Sequence, residues 1–169
     1  MIKISIKYAV LCGIFLTVSY HISVFFNSNP LIDVSHLIFD LILFGLFIFF
    51  GQKEFKTFHG EGVFHFWQGM TMGFLIYTIA AIVFGIGLYG YFLMEPEAIE
   101  IYKQEALSFL QERSDVFISE FGEERLIEQK AEIAAITSVD LLKSAMVKKL
   151  LAGFFITPVI SIILRKQPK

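Results

Sequence analysis

The sequence predicts an all-α membrane protein with four transmembrane helices and an extramembrane helical hairpin between the third and fourth. Three observations carry this. Hydrophobic residues fill 56% of the 169 positions, mean hydropathy is +0.67 and only 18% of residues are charged, a balance foreign to a soluble domain. A hydrocarbon core about 30 Å thick needs roughly 20 mostly apolar residues per helix, and four runs meet that need: 8–26, 31–50, 70–94 and 145–164. The one long hydrophilic stretch, 95–144, separates the last two. The whole of 1–169 therefore reads as a single four-span membrane domain.

The first run resembles a signal peptide in having Lys3 and Lys7 ahead of an apolar stretch, but no small-x-small cleavage site follows, so it is expected to remain as a span. A lipoprotein signal is not expected either, because Leu11 stands before Cys12 where a small residue belongs. As the sole cysteine, Cys12 excludes an intrachain disulfide and reads as an apolar residue in lipid.

Lysine and arginine set the orientation, because positive segments resist translocation. Lys3 and Lys7 precede the first span, Lys53 and Lys56 lie in the 51–69 connection, and Arg165, Lys166 and Lys169 follow the last span, whereas the 27–30 turn has none. Both termini are expected in the cytoplasm, with the turn and 95–144 on the far side. Lys143, Lys148 and Lys149, at the far end of the fourth span, oppose this assignment, so the first hairpin carries most of the inference.

The third span opens on Phe64-His65-Phe66-Trp67-Gln68-Gly69-Met70-Thr71-Met72-Gly73-Phe74. Trp67 suits the interfacial belt, where an indole buries its rings and keeps its N–H wet. Gly69 and Gly73 form a GxxxG, and steps of four continue through Tyr77, Ala81 and Gly85. A small-residue stripe lets helix backbones approach closely in lipid, either within the protein or across a dimer.

These features, with the close of that span on Tyr91-Phe92-Leu93-Met94-Glu95-Pro96-Glu97, the acidic insert and a last span ending at Arg165-Lys166, resemble the bacterial membrane family known as domain of unknown function 4199. The resemblance implies a four-span inner-membrane protein of Gram-negative bacteria. It brings no assigned activity, hence no catalytic residues to transfer.

In the insert, Glu95-Pro96-Glu97 reads as a helix start, since proline is tolerated in a first turn and carboxylates favour the positive end of the helix dipole. Ile99, Tyr102, Ala106, Phe109 and Leu110 share one face of that helix. After an ambiguous 116–121 comes Gly122, a natural cap, and a second stripe of Leu126, Ile127, Lys130, Ile133 and Ala134. Thr137 or Ser138 is expected to cap the helix that enters the last span. Residues 95–144 hold twelve carboxylates against five cations, a net charge of −7. That charge reads either as a solvated surface or as a docking face for a basic partner or a divalent cation, with no EF-hand spacing to favour calcium.

The chemistry-bearing residues within the spans are few. His21 and His36 lie about five residues from the same end of their helices, roughly 8 Å deep at 1.5 Å per residue. Asp40 is one turn beyond His36 and is expected to hydrogen-bond it or to be protonated. An ionisable group at that depth is a functional hypothesis by default, although no HxxxH or CxxC spacing strengthens a metal site. His59 and His65 fall in the connection and match no zincin motif.

No phosphate loop, nucleophile elbow, repeat or basic nucleic-acid patch is present in the sequence. The reading is a non-enzymatic structural or accessory subunit with no cofactor, no metal and no nucleic-acid partner. Its expected partners are the lipid bilayer and either another membrane protein or a second copy. The alternative is a small proton- or metal-linked carrier using His36 and Asp40. Topology is testable directly: a reporter fused after Lys169 should be cytoplasmic, and a cysteine at Ser119 should react with an impermeant reagent in intact inner membranes from the far side. Reaction at 119 only after the membrane is broken would reverse the orientation.

Overall fold

The computed structural model describes residues 1–26, 29–33 and 35–166, so the expected 27–30 turn and Lys169 lie partly or wholly outside the described residues. Among these residues the chain forms seven helices: α1 (Ile2–Phe25), α2 (Ser35–Phe58), α3 (Phe66–Met94), α4 (Glu97–Glu112), α5 (Ser114–Phe121), α6 (Glu123–Ala135) and α7 (Ser138–Leu164). α1, α2, α3 and α7 are long and apolar enough to cross a membrane. Each exceeds its expected span, because helices need not stop where hydrocarbon does. α2, for example, carries on through the polar Gln52-Lys53-Glu54.

Two compact units divide the chain, 1–88 with 144–169, and 89–143. In the first, the four long helices pack around small residues. α1 and α2 run antiparallel: Lys7 Nζ and the Tyr8 hydroxyl donate to Glu54 at 2.6 and 2.7 Å, and Phe15 meets Phe47 with ring centroids 5.5 Å apart. α1 lies along α3 where a Cβ on Gly13 would strike Val83 and one on Gly87 would strike Thr17. Large aliphatic and aromatic side chains point outward, among them Phe15, Ile42, Ile86, Phe155 and Ile162, all more than 50% exposed. Such a belt is wrong for water and right for lipid tails.

α3 and α7 approach each other closely. Gly69 faces Ser161, Gly73 faces Thr157, Tyr77 covers Gly153 and Gly85 faces Met146. One sequence number rises by four as the other falls by four, so the helices interlock antiparallel, glycine of one against hydroxyl or ring of the other. Ala81, fully buried, continues the stripe at the level of Lys149. The Thr157 and Ser161 hydroxyls donate to the carbonyls of Gly153 and Thr157 at 2.6 and 2.7 Å, so neither is an unsatisfied polar group in the apolar layer.

The second unit holds three helices where the sequence suggested two. Residues 114–121 form α5, closed by Gly122 at φ +88, a left-handed conformation that other residues resist. Leu110, Leu126 and Ile133 are its buried centre, with Ala106, Leu107 and Phe117 against them. The α4 stripe is therefore rotated from the expected one: Leu107 turns inward, and Phe109 stays 41% exposed with the Arg113 guanidinium over its ring. Arg125 bonds Glu128 and Glu132 at 2.9 and 3.1 Å, which raises its already high pKa, and burial raises that of Tyr102. Thr137 caps α7 reciprocally with Asp140, whose carboxylate accepts from the Thr137 hydroxyl and N–H at 2.6 and 3.1 Å.

The glycines should rank by what lies opposite. Gly73→Ala forces a methyl into Thr157 and should cost about 1–3 kcal/mol. Gly85→Ala meets only the flexible Met146 side chain and should cost less, and Gly90→Ala, with open space around it, should be neutral or mildly stabilising. Thermal unfolding of the three variants in detergent measures the order; equal midpoints would mean that α3 and α7 are not in close contact.

Candidate functional site

Asp40 lies on the buried stripe of α2, in helical step with Leu43, Phe44 and Ile48. Lys149 occupies the equivalent stripe of α7 with Leu141, Ala145 and Ala152. Their apolar neighbours fix both backbones, and the two side chains meet: Lys149 Nζ donates to Asp40 Oδ2 at 2.5 Å, with the side chains only 11% and 8% exposed. The ammonium also stands 4.7 Å from the centroid of the Phe84 ring, a cation–π contact from α3. Three of the long helices thus converge on one charge pair.

Beside the pair is a cavity of about 140 Å³. Tyr20, Leu31, Leu37 and Phe84 give it apolar walls, and Asp33, Asp40, Lys148 and Lys149 give it charge. Lys148 Nζ donates to the Leu31 carbonyl at 2.8 Å, holding the 29–33 turn against α7. Asp33 closes the start of α2, its Oδ1 accepting from the Ser35 N–H and hydroxyl at 2.9 and 2.6 Å.

The histidines do not join this site. His36 lines a separate groove between α1 and α2 with Ser19, Ser23 and Ser35. In place of the expected Asp40–His36 bond, the Asp40 carboxylate accepts from Lys149, an ammonium in the same apolar layer that needs a countercharge. His21 is exposed on α1, its Nδ1 2.8 Å from the Thr17 carbonyl. Among the described residues no group of three or more His, Cys, Asp or Glu side chains is placed to hold a metal ion. His59 stacks on Phe55, and His65 lies parallel to the ring of Trp67, which is 60% exposed at the start of α3.

At the opposite end of the bundle, a glutamine in the first turn of α3 is a cap: Gln68 Oε1 accepts from the His65 N–H at 2.9 Å. Gln52, wholly buried, donates from Nε2 to the Gly69 carbonyl and the Ser161 hydroxyl at 3.0 and 3.2 Å. Phe64 and Lys166 exchange two backbone bonds at 2.9 Å, and Lys56 Nζ donates to the Leu164 carbonyl at 2.8 Å. Sequence reasoning passed over Gln52 and weighed Lys56 and Lys149 only as charges that orient the chain. The signal available for Lys149 was its place in helical step with the apolar Leu141, Ala145 and Ala152.

Residues 7–166 match the family described as Protein of unknown function (DUF4199). The chain belongs to that family. The match takes in Asp40, Lys148, Lys149 and the whole α3–α7 stripe. No curated protein and no solved structure matches the DUF4199 chain, so the roles of its residues rest on the geometry above.

A buried pair is asymmetric in its energetics. Removing one partner leaves an uncompensated charge and typically costs about 3–5 kcal/mol, whereas replacing both with apolar residues of similar volume is often neutral or stabilising. Asp40→Leu and Lys149→Met should therefore each lower the unfolding midpoint sharply, and Asp40→Leu/Lys149→Met should recover most of the loss. Additive losses in this cycle, measured by thermal unfolding in detergent, would show that the two groups do not interact.

Proposed function

We propose that this protein is a non-enzymatic accessory or scaffold subunit of a bacterial inner membrane, with both termini cytoplasmic and the acidic α4–α6 unit periplasmic. The observation that supports this best is the use made of polar side chains in the long helices. Glu54, Gln52, Lys56, Asp40 and Lys149 each bond a neighbouring helix or the segment adjoining it, as expected of groups that hold helices together rather than process a substrate. The α4–α6 surface, rich in carboxylates, then offers itself to a basic face of another membrane protein or of a second copy. Neither nucleic acid nor a cofactor has a part in this reading.

The runner-up, a proton-linked carrier, is favoured by the cavity beside Asp40. It needs the carboxylate to change partners, and the scaffold does not. The charge-free pair Asp40→Leu/Lys149→Met separates them. Reintroduced into a deletion strain whose growth defect across pH and metal stress has been established, it should restore growth fully if the pair only joins helices. A double variant that inserts and folds normally yet fails to rescue would favour the carrier and sink the scaffold.

A further inference from the structure

We propose that the cavity beneath the 29–33 turn binds one phosphate group, with Lys148 as the cation that takes it. Four observations lead there. First, the charges are unequal in their pairing: Lys149 is matched by Asp40, whereas Lys148 has only the Leu31 carbonyl as a hydrogen-bond acceptor and no carboxylate at ion-pair distance among the described residues. A carbonyl is a neutral acceptor, and an ammonium with three donors retains capacity for further acceptors. Second, Asp33, the other carboxylate on the wall, is held to the start of α2 through Oδ1 and keeps its negative charge, so an anion has its place on the Lys148 side of the cavity.

Third, the volume selects the ligand class. About 140 Å³ is well below the roughly 300–1,000 Å³ of pockets that enclose metabolites, and a single tetrahedral oxyanion group is of the right order. Tyr20, Leu31, Leu37 and Phe84 keep the local dielectric low, so one ammonium attracts an anion there more strongly than it would in water. Fourth, the depth is right for a headgroup. Asp40 is five residues into α2, roughly 8 Å along its axis, and the 29–33 turn forms the other wall, a depth that suits the layer where headgroup phosphates meet acyl chains. Lys148 is itself exposed on α7, a position from which a lysine snorkels towards that layer.

A phosphate here has two sources, a lipid headgroup or the free ion, and the test distinguishes them. Thermal unfolding of the full chain in neutral detergent is followed with inorganic phosphate at constant ionic strength, with short-chain phosphatidylglycerol, and with the matching diacylglycerol that lacks phosphate. The expected result is a midpoint raised by about 5 °C or more near one hundred times Kd for at least one phosphate-bearing probe and not for the diacylglycerol. A shift from the lipid alone assigns the headgroup as the source, and a shift from both assigns a site that also takes the free ion.

Lys148→Gln should weaken the apparent affinity at least tenfold and Lys148→Arg should keep it. Ala145→Leu, which fills the cavity without touching a charge, should abolish the shift. If Lys148→Gln does not fold, Lys148→Arg and Ala145→Leu still decide. No shift from either phosphate-bearing probe on the unaltered protein overturns the proposal, as does a shift that survives filling the cavity. The Asp40–Lys149 pair is intact in all these variants, so failure here leaves the scaffold reading as it stands.

Discussion

Lipid tails offer no hydrogen bonds and no hydrophobic drive between helices, so a bundle in a membrane must hold itself together by fitting closely and by pairing its own polar groups. In this protein the close fit and much of the pairing lie along the contact of α3 with α7, although among the described residues Gln52 Oε1 and Thr78 Oγ1 are buried without a partner. Glycines at 69, 73 and 153 let the two backbones approach, and hydroxyls and a ring from the facing helix fill the space. That register brings Ser161 to Gln52, Lys166 to Phe64, and Lys149 to the level of Asp40 and Phe84. Loosening it would leave buried charge and amide without partners, where each is expensive.

Much of this was legible in the sequence and some was not, for reasons that can be named. The four long helices follow from hydropathy, which measures the one property lipid selects for, and the Gly69–Gly73–Gly85 stripe follows from spacing. The matching stripe on α7, Gly153, Thr157 and Ser161, has the same spacing of four, but two of its members are hydroxyl residues that bond their own helix and so pass as ordinary polar substitutions. The partner of Asp40 was beyond reach. His36 is one turn away and Lys149 is 109 residues away, and periodicity speaks only of the first kind of neighbour. Lys148 and Lys149 were weighed as charges that orient the chain, a role that hides any role inside it.

The two ends of the bundle are closed by different chemistry. Around 52–69 and 161–166, amides, hydroxyls and backbone groups form a network that Lys56 joins through the Leu164 carbonyl, with the more exposed Lys7–Glu54 pair beside it. Around 31–40 and 145–149 the closure is ionic and leaves a space beside it. A neutral network is nearly indifferent to surrounding charge. A buried ion pair with a space beside it is biased by any charged species that reaches it.

The interlock of α3 with α7 also bears on what can be inserted between them. Their register is set at Gly69–Ser161, Gly73–Thr157 and Tyr77–Gly153, all within the bundle, and α7 begins with its own cap at Thr137 and Asp140. The chain between is therefore a closed loop whose ends are pinned by contacts it does not supply. Closing such a loop costs only about 0.6 kcal/mol more for each doubling of its length if it is flexible. A change in the length of the segment from 95 to 136 therefore leaves the contacts that set the α3–α7 register untouched.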